Sequence, residues 1–164
     1  MTEITIRPFV EADADSVISM ILAIQRDEFS VPITADAQPD LRVIPDFYQT
    51  GDGQFWVAEH NGEIVGTLGL KDIGERQAAL RKMFVLEAMR GPQHNIARQL
   101  LDALLLHANA RQLRDIFLGT TEHFLAAHRF YEKNGFVEIG REKLPRSFAV
   151  MAVDSKFYHR HIQA

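Results

Sequence analysis

KMFVLEAMRGPQHNIARQLL, from Lys82 to Leu101, changes its period halfway along. Met83-Phe84-Val85-Leu86 is an apolar run of β type, and Arg90-Gly91-Pro92 is a turn. Beyond it, Ile96, Ala97, Leu100, Leu101, Leu104, Leu105 and Ala108 fall on one face of a helix. A strand feeding a helix through a glycine-containing turn leaves the first helical N–H groups unpaired, at the positive end of the helix dipole. Such a junction suits a phosphate or pyrophosphate.

The flanks make this junction one step in a longer alternation. Upstream, Ile4 and Ile6 alternate with polar residues in a first strand that stops at Pro8. Val17, Ile18, Ile21, Leu22 and Ile24 give a first helix its buried stripe. Arg26 to Pro39 reads as a loop. Leu41, Ile44, Phe47 and Tyr48 are spaced for a second helix, with Pro45 at a break or first turn. Phe55–His60 and Glu63–Leu70 are joined by Asn61-Gly62. Both turn residues tolerate positive φ, which makes this a hairpin signal. Ala78–Leu86 is then a fourth strand.

Downstream, Ile116–Gly119 is a fifth strand and Glu122–Asn134 a helix that Gly135 terminates. Phe136–Gly140 and Phe148–Val153 read as two more strands, whereas the tail from Asp154 has no clear period. The expected order is β-α-α-β-β-β-α-β-α-β-β. That implies an α/β (α+β) fold with a mixed, mostly antiparallel sheet of about seven strands and about four helices, its parallel pair at strands four and five.

Composition narrows the classes. The 164 residues fit one domain spanning 1–164. A net charge of −4 with interspersed signs lacks the basic stripe of a nucleic-acid binder. No cysteine is present, which removes disulfides, thiolate metal sites and a cysteine nucleophile. Neither a signal peptide nor a run long enough to span a bilayer is visible, so the expected setting is cytoplasmic. The seven histidines lack metal-ligand spacing: His159 and His161 are two apart and His123 and His128 five apart, so no metal is expected.

Ala127-His128-Arg129-Phe130-Tyr131-Glu132-Lys133-Asn134-Gly135-Phe136 matches a helix-to-strand signature of the form A-x-x-F/L-Y-E-K-x-G-F. With the element order and the Lys82–Leu101 junction, it resembles the GNAT superfamily of N-acetyltransferases over nearly the whole chain. The resemblance implies acetyl-CoA as cosubstrate, held where strands four and five splay apart. Its contacts would be Met83, Phe84 and Val85 on the strand and Gly91, Gln93, His94, Asn95, Ile96, Ala97 and Arg98 at the loop and helix start. That loop is about two residues longer than the family's, with Pro92 at its Arg/Gln position and Asn95 at its first glycine. Pro92 has no N–H to give a phosphate. The donors expected are the amides of Gln93 to Arg98.

Tyr131 falls on the family's general acid; from periodicity alone it reads as a core aromatic beside Phe130. A phenol is protonated at neutral pH and can donate to a leaving thiolate. The base has three candidates: Glu122, His123, or ordered water. Ala79 stands where many relatives carry a glutamate, and Phe124 where they carry an asparagine.

The expected activity is direct acetyl transfer to a primary amine of a small molecule or peptide in a ternary complex. The alternative is a catalytically weak acyl-CoA-binding or interaction module that retains the fold. The first two helices, the Arg26–Pro39 loop and Leu144–Phe148 would shape the amine site, with Glu28, Asp36 and Asp40 able to attract a cation. The expected partners are acetyl-CoA and an amine, with neither nucleic acid nor membrane. Exposed strand edges and Phe157-Tyr158 make a homodimer an open alternative to a monomer.

Overall fold

The Asn61-Gly62 hairpin and the strand-turn-helix both form in the computed structural model, which describes residues 3–28, 38–121 and 125–162. Seven strands, β1 (Ile4–Pro8), β2 (Gln54–His60), β3 (Glu63–Gly74), β4 (Gln77–Val85), β5 (Asp115–Thr120), β6 (Val137–Ile139) and β7 (Lys156–His161), make one sheet in the order β1-β2-β3-β4-β5-β7-β6. The helices are α1 (Ala14–Ala23), α2 (Ile44–Phe47), α3 (Ile96–Ala110) and α4 (Leu125–Lys133). Every strand pair is antiparallel except β4 with β5.

The period-2 alternation of β2 divides the core. Trp56 and Ala58 join Leu68, Leu70 and the α3 stripe of Ile96, Leu100, Leu101 and Leu104 in one cluster. Phe55 and Val57 join Val17 and Ile21 of α1 and Ile44 and Tyr48 in the other. Each fully buried leucine of α3 contributes about 1.5–3 kcal/mol of transfer free energy, so the helix behind the Arg90–Asn95 loop is firmly seated.

Two expectations need correction. Phe148–Val153 is not a strand. Phe148 is buried against Ala79, Phe117 and Phe157, while Met151, Ala152 and Val153 are exposed in a turn. The Asp154 carboxylate fixes that turn by accepting from Met151 N–H at 2.8 Å. The last strand is instead Lys156–His161, inserted between β5 and β6. Its polar residues hide the pattern because each finds a partner. His159 and His161 both bond Asp115, and the Arg160 guanidinium donates to the Asn134 carbonyl. The second correction is at Leu41–Tyr48, which is a 3-10 turn (Pro39–Arg42) followed by the one-turn α2. Pro45 lies at the start of α2, where its missing N–H costs nothing.

The parallel β4–β5 ladder is short. It runs from Gln77↔Asp115 to Ala79↔Phe117 and no further. On the other side, Thr67 faces Phe84 while Gly69 faces Arg81, so β4 carries one extra residue there. Lys82 absorbs it with φ 56°. The buried Thr67 hydroxyl pins the bulge by donating to the Lys82 carbonyl at 2.8 Å. From Leu80 onward β4 turns away from β5, and the sheet opens.

Candidate active site

The opening in the sheet is where the site forms. Beyond Ala79 the β4 backbone has no sheet partner on its β5 side among the described residues. Unpaired strand groups facing a cleft accept an extended ligand in the manner of an added strand. A groove of ≈ 350 Å³ runs along this edge, walled by Met83, Phe84 and Val85 of β4, by Ala127, Phe130 and Tyr131 of α4, and by Gly91, Asn95, Ile96 and Ala97. Its chemistry is largely apolar with backbone polarity, which suits a thin amide-containing chain.

At the groove's end α3 begins. Asn95, its N-cap, is left-handed at φ 54°, ψ 39°, a conformation Asn accepts better than most residues. The first bond of the helix runs from Gln99 N–H to the Asn95 carbonyl at 3.0 Å. The amides of Ile96, Ala97 and Arg98 therefore have no helical acceptor. They carry the positive end of the helix dipole and suit a pyrophosphate.

The predicted cofactor residues divide by how they are placed. Met83, Phe84, Val85, Gly91, Asn95, Ile96 and Ala97 line the groove. The side chains of Gln93, His94 and Arg98 do not. His94 packs edge-on against the His60 ring at 5.6 Å, and Arg98 donates to Asp102 and Asn134. The Asn95 amide is engaged too, donating to the Gly91 carbonyl at 3.0 Å. Arg90 folds back, its Nε donating to the Val85 carbonyl at 2.8 Å.

Tyr131 sits where α4 meets the split. Its ring packs among Phe130, Phe136 and Tyr158 at centroid distances of 5.9, 5.6 and 5.9 Å. The residue is 6% exposed, yet it lines cavities on both sides of itself. Its hydroxyl makes no hydrogen bond among the described residues, which leaves it available to a ligand. Burial pushes the phenol well above its ordinary pKa, so it holds its proton at neutral pH. The α4 end is fixed by Tyr158 Oη, which donates to Glu132 at 2.7 Å, and by Gly135 at φ 90°. Glu122 and His123 lie outside the described residues, as do Asp36 and the Glu28 side chain.

Past Tyr131 lies a second cavity of ≈ 570 Å³, which shares Met83, Phe84, Ala127 and Tyr131 with the first. Gln25 and Gln38 close one side, Ser147 and Phe148 the other. Sequence reading missed what charges it. Lys71, Arg81 and Lys82 line it together with Asp154. Alternation along β4 gave no sign of this, since only the bulge sets Arg81 and Lys82 beside each other at the cavity. Asp40, expected to attract a cation from solution, is 6% exposed and already engaged. It accepts from Tyr48 Oη at 2.6 Å and lies 3.7 Å from Lys82 Nζ and 4.0 Å from Arg81. Among the described residues no three ligating side chains form a metal cluster, and no helix is long and apolar enough to cross a membrane.

Comparison with known proteins agrees with this geometry. A solved acetyltransferase of the GNAT family from Staphylococcus aureus Mu50 is 38% identical, covers 98% of this chain and 99% of its own, and superposes with a TM-score of 0.93. The mouse probable N-acetyltransferase family 8 member 5 is 33% identical over 109 residues, which is 63% of this chain and 47% of the mouse protein. The chain spans between about a third and a half of the length of the mammalian relatives it matches. N-acetylglutamate synthase from Neisseria gonorrhoeae, solved with coenzyme A and N-acetylglutamate, is only 14% identical. It covers 98% of this chain and 35% of its own with a TM-score of 0.74, a likeness of fold alone. The Acetyltransferase (GNAT) family profile matches residues 18–136, and on that match and the staphylococcal relative the chain belongs to this family.

Proposed function

We propose that the protein transfers an acetyl group from acetyl-CoA to a primary amine of a small molecule or peptide, directly, in a ternary complex. The observation that carries this reading is Tyr131, a protonated phenol on the wall shared by an apolar groove and a charged cavity. The groove, the open β4 edge and the amides of Ile96 to Arg98 suit the pantetheine and pyrophosphate of acetyl-CoA. The second cavity suits the amine.

In this reading the amine nitrogen attacks the thioester carbonyl, and the main chain at Met83 and Phe84 offers a donor as charge develops on oxygen. Tyr131 protonates the departing thiolate. No cysteine is available for an acyl-enzyme thioester. We place the enzyme in the cytoplasm, and the edge strand β6, with Val137 exposed, is where a second copy would extend the sheet.

Calorimetric titration with acetyl-CoA, followed by thiol release across an amine panel, tests the reading. Saturable binding and amine-dependent thiol release are expected. Binding without transfer to any amine would favour the acyl-CoA-binding module, and absence of binding would remove both.

A further inference from the structure

We infer that the acceptor is a small amine bearing a carboxylate, an amino-acid-type zwitterion, with its carboxylate at Arg81 and Lys82 and its ammonium at Asp154. The inference rests on the acetyltransferase reading above and names the substrate class of the same site.

Charge is the first ground. Three cationic side chains and one carboxylate line the second cavity. Asp40 stands behind the cations, and one carboxylate cannot neutralise both neighbours. Arg81 approaches Asp40 only to 4.0 Å, and its guanidinium reaches 3.6 Å from Met151 Sδ and 5.3 Å from the Phe47 ring centroid. Lys71 Nζ lies 4.1 Å over the same ring. Phe47 thus holds two cations at one wall: Arg81 shares the distant Asp40 carboxylate with Lys82, and Lys71 has the ring face and no ion pair among the described residues. A wall with surplus positive charge binds a carboxylate and repels a polyamine or a basic peptide.

Asp154 is the second ground. Its carboxylate is held in the turn by Met151 N–H and sits against Gly119 of β5, where even a methyl group would lie 2.6 Å from Oδ2. The absence of a side chain at Gly119 therefore lets a carboxylate lie across the split from Arg81. Burial raises the Asp154 carboxyl above its ordinary pKa, against the opposing pull of Arg81 and Arg141. A carboxylate so placed is a better proton acceptor than an exposed one.

The chemistry balances. The substrate ammonium gives one proton to Asp154, and the freed lone pair forms the N–C bond at the thioester carbon. As that centre collapses the C–S bond breaks, and the thiolate takes the Tyr131 proton. The surplus proton still on nitrogen restores the phenol through the solvent of the cavity. The proton on Asp154 passes to bulk water, so one proton is released per amide formed.

The test compares a series of α-amino acids with their carboxamides and decarboxylated amines, by thiol release and with acetyl-CoA titration as the control. The expected result is a kcat/KM at least tenfold higher for the acids. Arg81→Met should abolish that preference while Arg81→Lys retains it. Asp154→Asn should lower kcat about a hundredfold with acetyl-CoA affinity unchanged. Gly119→Ala, which keeps the carboxylate but displaces it, should follow Asp154→Asn. Equal or better turnover of the amides and amines, or turnover of none of the acids by a protein that binds acetyl-CoA, overturns the inference and leaves the acetyltransferase reading standing. Failure to bind acetyl-CoA overturns both.

Discussion

The two cavities on either side of Tyr131 are built on different principles. The groove along β4 is made of backbone: an unpaired strand edge, three helix-start amides and small or apolar side chains. The cavity beyond it has an apolar wall set with charged side chains from distant parts of the chain: Lys71 on β3, Arg81 and Lys82 on β4, and Asp154 before β7. A backbone site recognises what is constant in a ligand and tolerates many sequences. A side-chain site recognises what is particular and changes with every substitution. On the proposed function, this difference would let chains of low identity share the fold while their acceptors diverge.

The comparison breaks first at the wall the cavities share. Tyr131→Phe should lower turnover by about 10²–10³ with the acetyl-CoA dissociation constant unchanged. Wild-type turnover in that variant would end the assignment of Tyr131 as proton donor. On the backbone side, Asn95→Ala forces a poorly tolerated residue into the left-handed cap. The cost of about 1–2 kcal/mol should weaken acetyl-CoA binding about tenfold, with the amine KM untouched. Asn95→Gly should bind like the wild type, and equal weakening by both would point to the Asn side chain instead.

Thr67→Val tests the bulge, which both cavities need. Loss of the bond to the Lys82 carbonyl should cost about 1 kcal/mol, read as a lower urea midpoint, with turnover down about threefold. A lower midpoint at full turnover would separate the bulge from catalysis.

Asp13 serves as the control, since it lines neither cavity. It accepts two bonds from Arg7, at 2.8 and 2.9 Å, which hold its carboxyl below the ordinary 3.8 even against burial. A depressed carboxyl stabilises the fold above its unfolded pKa and loses that stabilisation as pH falls through the folded value. Asp13→Asn should therefore lower the urea midpoint at pH 7 and leave turnover unchanged. The gap between variant and wild type should close as pH drops below about 4.

What could be read from sequence follows the same division. Lys82–Leu101 announced a strand, a turn and a helix because local periodicity makes them, whereas the left-handed angle of Asn95 came only with the structure. Tyr131 was visible through a contiguous motif. Lys156–His161 was not, because its histidines and arginine are satisfied by Asp115 and Asn134, residues far away in the chain. Phe148–Val153 looked like a strand on hydrophobicity, yet only Phe148 is buried, with Val150 half-buried beside the same cluster. The charged cavity was equally hidden. Nothing local to Asp154 marks Gly119 as the residue that makes room for it, and nothing local to Arg81 and Lys82 says that a bulge will place them side by side.

The insertion of β7 between β5 and β6 also sets a timetable for synthesis. β6 is translated first but pairs, among the described residues, with β7 alone, so it waits until Lys156–His161 has been made. The Tyr131 ring waits with it, since Tyr158 forms part of its seat. A chain truncated near residue 150 and released thus has its helix α3 and the loop before it, but a Tyr131 ring that lacks the Tyr158 part of its seat. Protease cleavage within α4 of the truncated chain, absent from the full chain, is the signature expected; equal protection of both would mean that the helix docks without β7.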